Sequence, residues 1–109
     1  MLFDMRTYTV RPGTLKSHLS LYEEHGWKVQ SQHLGEPLAY LVTETGPLNT
    51  YTHIWSYADA ADRAQRRAAM EKDTAWIAYR TESSKAGFLT GQENRLMVPA
   101  PFFKPPTRG

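Results

Sequence analysis

Four ring side chains alternate along one short stretch of the chain, at Tyr51, His53, Trp55 and Tyr57. In a β-strand, alternate residues point to the same face, so these four rings would form one aromatic wall. Packing explains aromatic side chains, but it does not by itself require an imidazole, which titrates near neutral pH. His53 is therefore the first candidate for chemistry, either as a general base or as a hydrogen-bond anchor.

Two charged residues, Asp4 and Arg6, occupy alternate positions in the first apolar segment. If that segment is a strand beside the one that carries His53, the three side chains can form one candidate catalytic group. Asp4 would then orient His53, and Arg6 would act as the electrophilic partner. The alternative is a buried and fully paired polar network that fixes strand register or a dimer interface.

A further set of residues could line a ligand site beside His53, since aromatic walls with a few polar groups are typical of small-molecule pockets. Arg6 and Arg95 could clamp a carboxylate or enolate through their planar donors, or they could be held in ion pairs. The aromatic members could equally belong to the core. The predicted ligand-binding residues are Tyr8, Tyr40, Trp55, Trp76, Arg95 and Trp27.

The elements that must position these residues follow from periodicity and turn signals. Helical spacing begins near Thr14, a plausible N-cap, and Gly26 marks an irregularity or a close approach to the sheet. Asp59 and Asp62 predict the start of the second helical region, which Asp73 or Thr74 would restart after an interruption. Strands are predicted over residues 2–10, 38–45, 50–58 and 92–99. The order βαββαβ predicts an α+β, ferredoxin-like fold with a four-stranded antiparallel sheet whose first and third strands are central.

The strand faces predict a homodimer. A single ferredoxin-like domain leaves one sheet face in water, so its strands should alternate apolar and polar residues. Here both faces carry apolar side chains, with Phe3 and Met5 on one side of the first strand and Tyr8 and Val10 on the other. The second face therefore needs a cover, and the same face of another copy would supply it in an eight-stranded barrel.

The 109 residues are enough for one domain, predicted over residues 1–99, followed by a Pro-rich tail over residues 100–109. Phe102 and Phe103 are predicted to pack on the domain or on a partner chain. The chain has no cysteine, which excludes disulfides and thiolate chemistry. The first residues carry Asp4 and Arg6 and no small-residue cleavage site, so we expect no signal peptide and a cytoplasmic location.

Several function classes are disfavoured by composition and spacing. The net charge is +2, and the basic run Arg63, Arg66 and Arg67 is interpreted as a solvated helix face, so we expect no nucleic acid partner. His18 and His25 are too far apart on one helix to share an ion, and no phosphate-binding glycine loop is present. We therefore expect neither a metal ion nor a cofactor. No apolar run in the sequence is long enough to span a membrane, so we also expect no membrane partner.

Three segments resemble the NIPSNAP family: "DMRTYTVRPG" near the start, "THIWSYADAADRAQRRAAMEKDTAW" in the centre, and "QENRLMVP" near the end. Together they cover most of residues 2–99, and the tail lies outside the resemblance. What the resemblance implies is a dimeric α+β barrel. It implies little about activity, because the wider barrel superfamily includes cofactor-free monooxygenases, small isomerases and haem proteins.

The sequence therefore predicts a small-molecule-binding dimer, with a cofactor-free enzyme for proton transfer, isomerisation or monooxygenation as one form of it. Whether the protein is an enzyme is left open. The alternative is a non-catalytic dimeric module for structure or ligand sensing, which predicts a filled core. A cavity of a few hundred Å³ beside His53 favours the first interpretation.

Overall fold

The computed structural model describes residues 1–106. The described chain forms four strands and four helices in one α+β domain. The strands are β1 (Leu2–Val10), β2 (Ala39–Val42), β3 (Thr50–Tyr57) and β4 (Leu89–Met97). The helices are α1 (Leu15–His25), α2 (Trp27–Leu34), α3 (Ala60–Lys72) and α4 (Thr74–Ala86). The order of strands and helical regions confirms the predicted βαββαβ arrangement.

The strands form one antiparallel sheet in the order β2-β3-β1-β4, with β1 and β3 in the centre as predicted. The register places Arg6 opposite His53 and Tyr8 opposite Tyr51. Because directly opposed residues share a face, the charged side chains of β1 and the rings of β3 lie on the same side of the sheet. We call this side the inner face, since the helices pack on it. Tyr22, Trp55, Tyr57 and Met70 belong to the core between them.

Gly26 divides the first helical region into α1 and α2, which confirms the predicted irregularity. The glycine lies under two aromatic rings. A Cβ atom at this position would stand 2.8 Å from Tyr22 Cδ1 and 3.2 Å from Tyr79 Cδ1. The close approach at Gly26 is therefore to the rings of α1 and α4, and not to the sheet as the alternative had suggested. Thr14 precedes α1, but its hydroxyl donates to the Arg11 carbonyl oxygen and does not cap the helix.

The second helical region also breaks in two, and an aspartate caps each piece. The Asp59 carboxylate accepts from the Asp62 backbone N–H at 2.8 Å, and Asp73 accepts from the Ala75 N–H at 2.9 Å. Such caps satisfy donors that the first helical turn leaves unpaired. Of the two residues predicted to restart this region, Asp73 and Thr74, the structure shows Asp73 as the cap of α4.

The opposite side of the sheet, the outer face, carries Met5, Thr7, Ile54 and Arg95 among its residues. Within residues 1–106, no helix is both long and apolar enough to cross a membrane. In the tail, Phe102 is 91% exposed and Phe103 is 53% exposed, so Phe102 does not pack on its own domain, and the alternative, packing on a partner chain, stays a prediction. Residues 107–109 of the predicted tail lie outside the described chain.

Candidate functional site

A cavity of about 380 Å³ lies between the inner face and the helices. Its walls contain five of the six tyrosines of the chain, and side chains from all four strands and from each helical region contribute to it. Of the predicted site residues, Arg6, Tyr8, Tyr40, His53 and Trp76 line this cavity. The structure thus brings together two of the three predicted catalytic side chains and three of the six predicted ligand-binding ones.

His53 is 1% exposed and is held by its neighbour on the strand. The Trp55 indole Nε1–H donates to His53 Nδ1 at 2.7 Å. Because an indole N–H can only donate, Nδ1 must be unprotonated, and the neutral ring then carries its proton on Nε2. Nε2 has no hydrogen-bond partner among the described residues.

Burial, and then the nearby Arg6 charge, lower the pKa of His53 to about 3, so the ring stays neutral at physiological pH. A neutral imidazole with Nε2–H donates a hydrogen bond and does not take up a proton at that atom. Of the two roles expected for His53, the geometry therefore favours the hydrogen-bond anchor over the general base.

Arg6 lies directly across from His53 and is fixed by two contacts. Its Nη1 donates to Asp4 Oδ2 at 3.0 Å, and its Nε donates to the Tyr8 hydroxyl oxygen at 2.9 Å. No acceptor among the described residues contacts Nη2. The guanidinium is therefore oriented by its neighbours while part of its donor set stays open beside the cavity.

Asp4 does not line the cavity. Its carboxylate is fully buried and accepts from three side chains: Arg6, Arg63 at 3.1 Å and Asn94 at 3.0 Å. Burial by itself would raise the pKa of Asp4, but the hydrogen bond from Asn94 and the two arginine charges outweigh it and lower the pKa. The predicted contact that orients His53 is absent among these bonds, so the structure does not support the orienting role predicted for Asp4. The satisfied network that was its alternative describes this residue.

Stacked rings form one wall of the cavity. The Tyr40 ring stacks on His53 with a centroid separation of 4.7 Å and on Tyr51 at 5.8 Å. Trp76 closes another side, and its Nε1–H has no partner among the described residues. The wall thus combines apolar ring faces with single polar atoms.

Three predicted ligand-binding residues lie away from the cavity. Trp55 is fully buried behind His53, and Trp27 packs on Tyr40 from outside the cavity lining. Arg95 pairs with Met5 and therefore lies on the outer face, opposite Arg6. The predicted clamp of Arg6 and Arg95 is wrong, because the register of β4 on β1 places the odd-numbered residues of both strands on the outer face.

Residues that the sequence did not single out as ligands complete the site. Arg67, Glu71 and Arg80 line the cavity from α3 and α4, and Glu71 Oε2 accepts from Arg80 Nη1 at 2.9 Å. Arg63 and Arg67 face inward, whereas Arg66 pairs with Asp62 at the surface. The basic run is therefore only partly a solvated face. Its i, i+4 spacing of Arg63 and Arg67 is the signal that could have revealed this.

A second buried histidine supports the cavity from behind. His18 Nε2 lies 2.7 Å from the hydroxyl oxygen of Tyr51, which lines the cavity. Burial lowers the pKa of His18, so it too is neutral near pH 7. Within residues 1–106, no three His, Asp or Glu side chains are grouped closely enough to hold a metal ion together.

The sheet order and the cavity beneath the helices define a ferredoxin-like α+β domain. In agreement, the chain superposes on the crystal structure of an antibiotic biosynthesis monooxygenase with a TM-score of 0.62, covering 93% of this chain and 100% of that one. The sequence identity is 19%, so this likeness establishes the fold alone.

The family is established by sequence. The NIPSNAP family model matches residues 3–104, and the chain belongs to the NIPSNAP family. The match extends into the Pro-rich tail, which was predicted to lie outside the resemblance. A crystal structure of a NIPSNAP family protein from Agrobacterium tumefaciens is 35% identical, with a TM-score of 0.86 over 93% of this chain and 94% of that one.

A NipSnap homolog from Dictyostelium discoideum is 28% identical over 98 residues, or 90% of this chain. Those residues are 42% of the Dictyostelium protein, so the chain spans less than half the length of that relative. The family relationship therefore concerns one domain of such longer proteins.

Proposed function

We propose that this domain binds a small molecule in the cavity beside His53 and does so as a homodimer. The cavity carries this proposal, because about 380 Å³ of space lined by rings and a few polar atoms is the usual form of a small-ligand site. A filled core, which the non-catalytic alternative predicted, would have placed side chains in that space. The same proposal includes turnover of the ligand without a cofactor, by proton transfer, isomerisation or oxygenation. It also includes a cytoplasmic location.

His53 and Arg6 support a binding role because each is fixed by the fold and each keeps an open donor. Preorganised donors hold an oxygen atom of a ligand in place at little entropic cost, and they stabilise negative charge that develops on it. The likeness to a monooxygenase adds only that this fold accommodates oxygenation in another protein.

The outer face supports the dimer. Leu41 is 61% exposed and Met97 is 40% exposed on this face, and Met5 and Ile54 lie between them in the sheet. Exposed apolar side chains on one sheet face are typical of an interface. Sedimentation at micromolar concentration should give twice the chain mass of 12.5 kDa. Ile54→Glu should give the monomer mass, and a monomeric wild-type protein would contradict the dimer.

Filling the cavity tests the binding proposal directly. Ser83 lines the cavity on α4, so Ser83→Trp should place an indole in the ligand space. Small molecules released from the untreated wild-type protein by denaturation, and detected by mass spectrometry, should be absent from this variant. Ser17→Trp on the exposed side of α1 is the matched control and should retain them. Equal small-molecule content in wild type and Ser83→Trp would contradict the proposal.

A further inference from the structure

The cavity presents hydrogen-bond donors that lack acceptors. Among the lining residues that the structure describes, the buried polar atoms without a partner are His53 Nε2 and Trp76 Nε1. Both are N–H donors, given that Trp55 fixes the His53 tautomer. Arg6 Nη2 adds a third donor that contacts no acceptor in residues 1–106. A ligand that satisfies this set must supply acceptors.

The charged residues around the cavity also favour a ligand that supplies acceptors, because their net charge is positive. Three arginines and one glutamate line it: Arg6, Arg67, Arg80 and Glu71. Glu71 is already paired, at 2.9 Å with Arg80 and at 3.8 Å with Arg67. Asp4 partly offsets Arg6, but it is shared with Arg63. The positive charge is therefore in excess, and a cationic ligand would be repelled.

The walls select for a flat ligand. Tyr22 stacks on Tyr40 with centroids 5.3 Å apart, and Tyr40 stacks in turn on His53 and Tyr51. A cavity lined by this many aromatic rings packs well against planar unsaturated groups. Burial raises the pKa of Tyr22, Tyr40 and Tyr51, so these phenols stay neutral and add no negative charge that would oppose an anion.

We propose that the cavity binds a small, planar organic acid, with its carboxylate, enolate or phenolate oxygen held between Arg6 and the Nε2–H of His53. This inference rests on the proposed small-molecule function and names the class of ligand. Arg6 and His53 are direct cross-strand neighbours, which places their donors near the same point. Trp76 would donate to a second acceptor on the ligand or pack on its ring.

Three probes of the same shape and different charge test the ligand class: benzoate, benzamide and benzamidine. Each is titrated into the full ¹⁵N-labelled protein at pH 7, and the three indole N–H signals are followed. Benzoate should shift the Trp76 signal and leave the signal of Trp27, which lies outside the cavity lining, in place. Benzamide should bind at least about tenfold more weakly, because it loses the charge-assisted hydrogen bonds. Benzamidine should not bind.

Substitutions then locate the anion. Arg6→Met should weaken benzoate binding at least about tenfold, whereas Arg66→Met, which removes the same charge from a position of α3 outside the cavity lining, should leave it unchanged. Because Arg6→Met also unpairs Asp4, folding is checked by circular dichroism, and Arg67→Met on the cavity lining serves as a second variant that should weaken benzoate severalfold.

The outcomes separate this inference from the function on which it rests. If benzamide or benzamidine binds as tightly as benzoate, the proposal that the ligand is an organic acid is overturned, and the cavity remains a small-molecule site. Failure of all three probes to shift Trp76 at millimolar concentration overturns both. Equal benzoate affinity in wild type, Arg6→Met and Arg67→Met overturns the placement of the anion and the charge argument with it.

Discussion

Two polar groups buried on the inner face, Asp4 and His53, make an instructive comparison. Both lie on central strands, and both are almost completely excluded from solvent. Asp4 accepts hydrogen bonds from three side chains, whereas His53 uses one nitrogen on Trp55 and leaves the other without a partner. A fully paired buried group stabilises the fold, and a buried donor without a partner costs stability unless a ligand satisfies it. The comparison therefore favours a structural role for Asp4 and supports the binding role proposed for His53.

The largest effect is expected from Asp4→Ala. Removing the carboxylate leaves the half-buried guanidinium groups of Arg6 and Arg63 without their shared partner, which should lower the free energy of unfolding by about 3 kcal/mol. Urea unfolding at fixed protein concentration measures it. Glu23→Ala, which removes an exposed carboxylate, should stay within about 0.5 kcal/mol of wild type. A loss below about 1 kcal/mol for Asp4→Ala would count against the structural role.

The contributions of His53 and Asp4 to the free energy of unfolding should be lost in different pH ranges. His53 has a pKa of about 3 in the folded protein and an ordinary value of 6.5, so the unfolded chain takes up a proton first. Stability should therefore fall as the pH drops from about 6.5 towards 3, by about 1.4 kcal/mol per pH unit for one histidine. His18, whose pKa burial also lowers, adds a loss in the same direction. Asp4, with a lowered carboxyl pKa, contributes its loss only below its ordinary value of 3.8.

Urea unfolding at several pH values between 7 and 4 measures this slope. His53→Gln should flatten the slope by about 1.4 kcal/mol per pH unit, since one histidine no longer titrates on unfolding. His25→Gln, at an exposed position of α1, should leave the slope as it is in wild type. An unchanged slope in His53→Gln would contradict the burial of a neutral ring.

The smallest effect concerns the proton on His53. Long-range ¹H–¹⁵N spectra of wild type should show a neutral ring protonated only at Nε2 between pH 5 and 8. Trp55→Phe removes the donor to Nδ1, and the protonation should redistribute between the two nitrogens, since about 1 kcal/mol of hydrogen bonding no longer favours one of them. Trp27→Phe should leave the wild-type tautomer. Protonation at Nδ1 in wild type would refute the donor role.

Much of the fold could be predicted from the sequence because its signals are local. Alternation along residues 50–57 identified β3, and the aspartates at positions 59 and 73 marked where α3 and α4 begin. Each of these features depends on residues within one turn or one strand. The order of elements then left few topologies, which is why the central position of β1 and β3 was predictable.

Part of the site was less predictable because some of its contacts, such as those of Asp4 with Arg63 and Asn94, join residues far apart in the chain. Strand alternation shows which residues of β1 share a sheet face with Arg6, and which residues of β4 share one with Arg95. Only the register of β4 on β1 decides whether Arg6 and Arg95 lie on the same face of the sheet. For the same reason Asn94, which supports Asp4 from β4, gave no signal. A shift of one residue in the register of β4 on β1 would have placed Arg95 on the inner face and Asn94 on the outer face.

The sequence by itself determined that a histidine lies among alternating aromatic residues on a central strand. It also determined that the neighbouring strand carries a carboxylate and a guanidinium. Tertiary structure decided what each group does. The rotamer of Trp55 fixes the proton on His53, and the packing of α3 turns Arg63 towards Asp4. The first contact lies within one strand and the second joins two elements, but both depend on side-chain geometry, because a hydrogen bond is formed or lost over less than 1 Å, a precision that residue spacing does not contain.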